Sequence, residues 1–130
     1  MSTVHTNTVE TSSGGAVTLT NQSAAKSFIN FNAATPAIRE SFNVSSLDDN
    51  GTGLFDVNFS SAMGDVNYTL TGGTGNSTSA NEMFHFTFAG NNAIPQAPTT
   101  SNYAVKTANA AGNAFADVPF SMATVHGDLA

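Results

Sequence analysis

Few side chains in this sequence are equipped for chemistry, and their spacing limits what they can do. Asp48-Asp49-Asn50-Gly51 is the densest acidic run. Calcium needs six to eight oxygens, with carboxylates at alternating positions and an acidic closing residue. Here Thr52, Gly53 and Leu54 follow instead, so the run reads as a hairpin turn with solvated carboxylates. His5, His85 and His126 lie on three separate segments without metal-site spacing, so no metal centre is expected. A single histidine near a three-fold axis would supply three ligands, and His85 and His126 are the two placed for it. A serine nucleophile would need a base and an orienting acid. Gly-x-Ser-x-Gly is absent, and nothing marks Asp56 and Asp65 as a hydrolytic pair. Gly72-Gly73-Thr74-Gly75-Asn76 lacks the Lys-Ser/Thr of a phosphate cradle. No catalytic residue, cofactor or metal is therefore assigned, and the chain is expected not to be an enzyme.

The candidate ligand contacts are polar. Two stretches, 72–81 and 90–102, read as long loops, and loops of such length are often functional. Thr74, Asn76, Asn81, Asn91 and Asn92 carry amides and hydroxyls suited to sugar hydroxyls, and Tyr103 offers a stacking face. Phe84 is a second possible stacking face. The alternative is that both loops are simply solvated. Asn-x-Ser/Thr sequons are frequent, as expected by chance in so Asn- and Thr-rich a chain, and are not read as glycosylation sites.

Composition restricts the partners. Only 9% of the 130 residues are charged, against about 25% in an ordinary soluble domain. Asn, Ser and Thr, roughly a third of the chain, supply solubility in the manner of β-rich extracellular and virion proteins, whose strands favour Thr and whose turns favour Asn and Gly. The net charge is −6, and Lys26, Arg39 and Lys106 are the only strong cations. Nucleic-acid binding needs clustered Lys and Arg, so that class is excluded, and an anionic membrane surface is disfavoured. There are no cysteines, which removes disulfides and thiolate chemistry. Met1–Glu10 lacks the apolar core of a signal peptide, and no stretch approaches the ~20 apolar residues of a membrane helix.

The elements that must position these residues are short and extended. Helical periodicity is nearly absent; Gln22 to Phe28 is the best helical candidate. Expected strands are Ser27–Asn32, Ile38–Val44, Leu54–Phe59, Val66–Leu70, Met83–Ala89, Tyr103–Lys106 and Phe115–Val125, with Pro119 marking an edge or bulge. Asn50-Gly51 between alternating apolar runs predicts a hairpin. Ile38, Phe42 and Val44 should share a face, and the ten phenylalanines should form most of the core. The pattern predicts an all-β fold, an antiparallel, jelly-roll-like β-sandwich over residues 23–130. Residues 1–22 are expected to be a short extended arm. Its apolar side chains, Val4, Val9, Val17 and Leu19, are too few for a core and suit attachment or oligomer contacts.

One long stretch is more specific. Phe28-Ile29-Asn30-Phe31-Asn32, then Ile38 through Gly53 (IRESFNVSSLDDNGTG), then Val57-Asn58-Phe59 with Ala62-Met63 and Asn67-Tyr68, resemble a tail-fibre-like family widespread in phages and prophages of marine bacteria. Thr11–Thr20 and Val125–Ala130 resemble it too, whereas 72–118 does so weakly. The resemblance implies a structural protein of a bacteriophage virion, made in the host cytoplasm and carried on the particle surface. A tail fibre, a head fibre, a fibre tip and a capsid decoration protein all fit. It further implies a homotrimer contacting other virion proteins; the alternative is a receptor-binding module that recognises host surface glycans through 72–81 and 90–102.

Overall fold

In Ser27-Phe28-Ile29-Asn30-Phe31-Asn32 every second side chain is turned the same way, and the backbone obeys. In the computed structural model, β1 (Ser27–Asn32) buries Ser27, Ile29 and Phe31 and turns Phe28 outward. The structure describes residues 24–75, 97–108 and 114–130, and the backbone of 85–88. The other strands are β2 (Ala37–Phe42), β3 (Ser46–Gly51), β4 (Leu54–Asn58), β5 (Thr69–Gly75), β6 (His85–Phe88), β7 (Asn102–Ala108) and β8 (Phe120–His126). They form two antiparallel four-stranded sheets, ordered β2-β1-β8-β5 and β3-β4-β7-β6. The expected all-β sandwich is thus what the chain forms, with three local hairpins (β1–β2, β3–β4, β6–β7). The arm, 1–22, lies outside the described residues.

The sheets meet through Ile29, Phe31, Ala123 and Val125 from one and Phe55, Val57, Tyr103 and Val105 from the other, with Phe59, Met63 and Tyr68 closing one end. The Phe31 and Phe55 rings cross edge to face at 5.2 Å between centroids, and Phe59 packs on Tyr68 and Tyr103 at 5.7 and 5.4 Å. Such ring pairs each contribute about 0.5–1.5 kcal/mol beyond area burial.

Several local expectations need correction. No helix forms over 24–28, because β1 begins at Ser27 and pairs with β8. The strand expected at Val66–Leu70 begins later and runs through Gly75, so residues 72–75 are not loop but the edge strand beside β8. Ile38 and Phe42 do not enter the core; they are exposed on the edge strand β2. Pro119 lies immediately before β8, which is an interior strand, not an edge. Nor are the phenylalanines uniformly core. Among the described side chains Phe31, Phe55 and Phe59 are buried, while Phe28, Phe42 and Phe120 are exposed. Val, Ile, Met and Tyr fill the remaining volume.

The stretch Asn43 through Gly53, part of the longer motif that carried the resemblance, proves to be a fastening. Asn43 has φ 54°. Its Nδ2 donates to the Lys26 and Ser61 carbonyls, both at 3.1 Å, and its Oδ1 accepts from the Ser61 amide at 2.7 Å. Ser45 Oγ donates to the carbonyls of Asn58 and Phe59. Asp49 Oδ1 accepts the Gly51 amide at 2.9 Å, which closes the β3–β4 turn. Asn43→Ala should cost about 2–3 kcal/mol, from three lost hydrogen bonds and an unfavourable left-handed Ala. Urea denaturation should show a lower midpoint at unchanged slope, and Asn43→Gly should recover only the backbone part.

Candidate interaction face

Of the residues expected to hold a ligand, the two that are described, Thr74 and Tyr103, lie on strands of different sheets. Thr74 lies on the edge strand β5 opposite buried Ser121, half-buried itself and facing the sandwich interior. Tyr103 is a correction: it is 1% exposed at the centre of the core, against Phe59, and presents no stacking face. The interior strand β7 carries it inward, in register with Val57. Asn76, Asn81, Asn91 and Asn92 lie outside the described residues, as do Phe84 and the attachment residues Val4, Val9, Val17 and Leu19.

The acidic hairpin serves turns and side-chain bonds. Asp48 and Asp56 face each other across β3 and β4, and Asn58 Nδ2 donates to Asp48 Oδ2 at 2.8 Å and to Ser46 Oγ at 2.9 Å. Among the described residues no three His, Asp or Glu side chains cluster as metal ligands. On the same sheet Lys106 Nζ sits 4.1 Å from the Phe115 ring centre.

A different surface stands out. The two central outward rows of the β2-β1-β8-β5 sheet are Phe42, Phe28, Thr124 and Thr71, then Glu40, Asn30, Met122 and Gly73, with Phe120 beside Gly75 in the row that follows. Phe28, Phe42, Phe120 and Met122 are 36%, 52%, 40% and 44% exposed. The Phe28 and Phe42 rings stack at 6.3 Å with 26° between their planes. A bulge in β2 pairs Asn30 with Glu40 and Phe31 with Ile38, leaving Arg39 as the extra residue. Bulges re-aim side chains, and here the Arg39 guanidinium lies 4.7 Å over the Phe120 ring while Nη1 donates to the Phe31 carbonyl. Asn30 Oδ1, mid-face, is buried with no hydrogen-bond partner among the described residues.

At the other side of this sheet the side chains run out. Gly72 and Gly73 leave an open groove of about 310 Å³, walled by Thr71, Met122 and Thr124. One sheet face therefore bears an aromatic ridge along β2 and β1 and a glycine-floored groove along β5 and β8. Aromatic residues, Met and Arg are the types enriched where proteins meet, whereas Asp, Glu and Lys are depleted there. Sequence reasoning missed this face. The signal was the parity of Phe28 and Met122, opposite to Ile29 and Ala123 on the same strands.

One end of the sandwich is closed by the tyrosines. Tyr68 Oη donates to the carbonyls of Thr99 and Asn102, at 2.9 and 3.1 Å. Burial pushes its phenol up to about 12 and raises that of Tyr103 further, with neighbouring Tyr68 adding to the second shift. A phenol whose folded pKa exceeds its unfolded value favours the fold fully below about pH 10. That contribution is lost as pH climbs through 10 toward 12. The chain has two tyrosines and no tryptophan, so the long-wavelength tyrosinate absorbance reads these groups alone. Neither should ionise at pH 10–11 while the fold persists; both should ionise together when it unfolds.

No protein-family model, no curated protein and no solved structure matches the chain.

Proposed function

We propose that the chain is a structural subunit of a bacteriophage particle, of fibre-like or capsid-decorating kind, that assembles as a homo-oligomer on the particle surface. The observation that carries this reading is the outer face of the β2-β1-β8-β5 sheet, on which four large apolar side chains stand exposed in one patch. Patches of this kind on a soluble protein mark interaction sites. The motif resemblance, the low charge and the edge strands β2 and β3, each paired on one side only among the described residues, support it. An unpaired edge is a hazard unless something covers it, and sister copies in an assembly would do so. The role is architectural: a rigid sandwich that joins its own kind and the particle.

Immunogold labelling of intact particles released from cells that make this chain tests the reading. Gold on the particle surface is expected. Chain found wholly in the soluble lysate, with unlabelled particles, contradicts it.

A further inference from the structure

Resting on that reading, we infer that copies join head to tail across this one face. The Phe28–Phe42 ridge of each copy seats in the Gly72–Gly73 groove of the next, and three copies close a ring. Ridge and groove lie on opposite sides of the same sheet face, so neither can meet its own complement within the chain. A pair of unlike patches on one surface makes a heterologous contact, which closes into a ring when the rotation allows. The groove, about 310 Å³, is open to solvent, so an aromatic ring can enter it from outside.

Geometry favours three. Four strands spaced about 4.8 Å apart make a face about 14–19 Å wide. Three such walls closed into a prism lie about 4–5.5 Å from the axis, close to half of the ~10 Å that separates packed sheets. Side chains from the walls would then fill the axis.

Charge points the same way. Every copy carries net charge −6, so self-association must use a surface that adds little like-charge repulsion. The two central outward rows of this face hold Glu40 as their one acid, with Arg39 beside it over Phe120. The opposite sheet sets Asp48 against Asp56. The second copy is therefore the occupant the face fits.

Two substitutions separate the ridge from the groove. Phe42→Ser removes half of the ridge from an exposed position. Gly73→Leu fills the groove, and a Cβ there meets within its own chain only Met122 Cγ at 4.0 Å, so the fold tolerates it. Light scattering on the full chain should give about three times 13.3 kDa for the unaltered protein and one times for each variant, with circular dichroism unchanged. An unaltered oligomer in both folded variants overturns this contact but leaves the proposed homo-oligomer standing. A monomeric unaltered chain at 100 μM, roughly, overturns both. So does glycan capture by such monomers that Phe42→Ser abolishes, since the face would then be a receptor platform.

Discussion

Phe31→Ala should destabilise the sandwich by about 3–5 kcal/mol, the usual cost of emptying a buried aromatic site. That is a large part of the stability of a domain this size, and the variant should be partly unfolded at 37 °C. Phe31 is fully buried, contacts Phe55 across the two sheets, and sits on a strand hydrogen-bonded on both sides. Its backbone carbonyl also holds Arg39. Phe42→Ala, by contrast, should cost under about 1 kcal/mol in the isolated chain, because the ring is half exposed already. Thermal denaturation of the two variants side by side checks this. Equal losses would mean that Phe42 is part of the core.

Gly53→Ala is the second large effect. Gly53 is buried with φ 66°, a left-handed conformation that favours glycine. Its amide donates to Asp117 Oδ1 at 2.6 Å, and its carbonyl accepts from Thr107 at 2.9 Å. An added Cβ would run into the Thr107 carbonyl oxygen and lie 2.9 Å from the Ala116 amide nitrogen. Backbone strain and overpacking each cost about 1–3 kcal/mol, so the sum is about 3–5 kcal/mol. Gly51→Ala is the control. Gly51 has φ 119° but open space around it, so only backbone strain applies and the loss should be about 1–3 kcal/mol. Urea midpoints rank the two; a Gly51 effect as large as that of Gly53 would contradict the close packing of 114–118 on this turn.

These contrasts show what could be seen in the residues and what could not. β1 emerged with its observed ends because Ser27-Phe28-Ile29-Asn30-Phe31-Asn32 alternates cleanly. The β3–β4 hairpin followed from Asn50-Gly51 between apolar runs, although Asp48 through Gly51 joined the strand and the turn fell on Thr52 and Gly53. Alternation defines two faces of a strand, but it does not say which one the second sheet covers. Phe28 and Phe42 therefore read as core when they are surface. Gly72 to Gly75 read as loop because residues without side chains give no pattern. They are strand because β8 supplies the hydrogen-bonding partner, which the local sequence does not reveal. Tyr103 read as a ligand contact because it borders a polar stretch, yet β7 is an interior strand and carries it inward. The candidate face was hidden for a related reason: its two halves come from β1–β2 and β5–β8, far apart in the chain and joined only by sheet order.

The resemblance and the face overlap only in part. Most of the motif residues that suggested a fibre-like protein hold turns and the end of the sandwich together, as Asn43, Ser45 and Asp49 do. The proposed contact draws on Phe28 and Phe42, within the resembling stretches, and on Gly73 and Met122, outside them. Changes at Asn43, Ser45 or Asp49 should thus weaken folding, whereas changes to the ridge or groove should weaken assembly.

Because the chain has no cysteine, the central claim can be tested by covalent capture. In one copy Phe42 and Gly73 lie on strands three spacings apart, about 14 Å or more, too far for a disulfide, which needs Cα atoms within about 7 Å. The double variant Phe42→Cys/Gly73→Cys, oxidised mildly and run on a non-reducing denaturing gel, should give a ladder that ends at a closed trimer. Each single variant alone should give no more than dimers. Monomer alone from the double variant, under conditions where both thiols are shown to be oxidisable, would contradict head-to-tail assembly through this face.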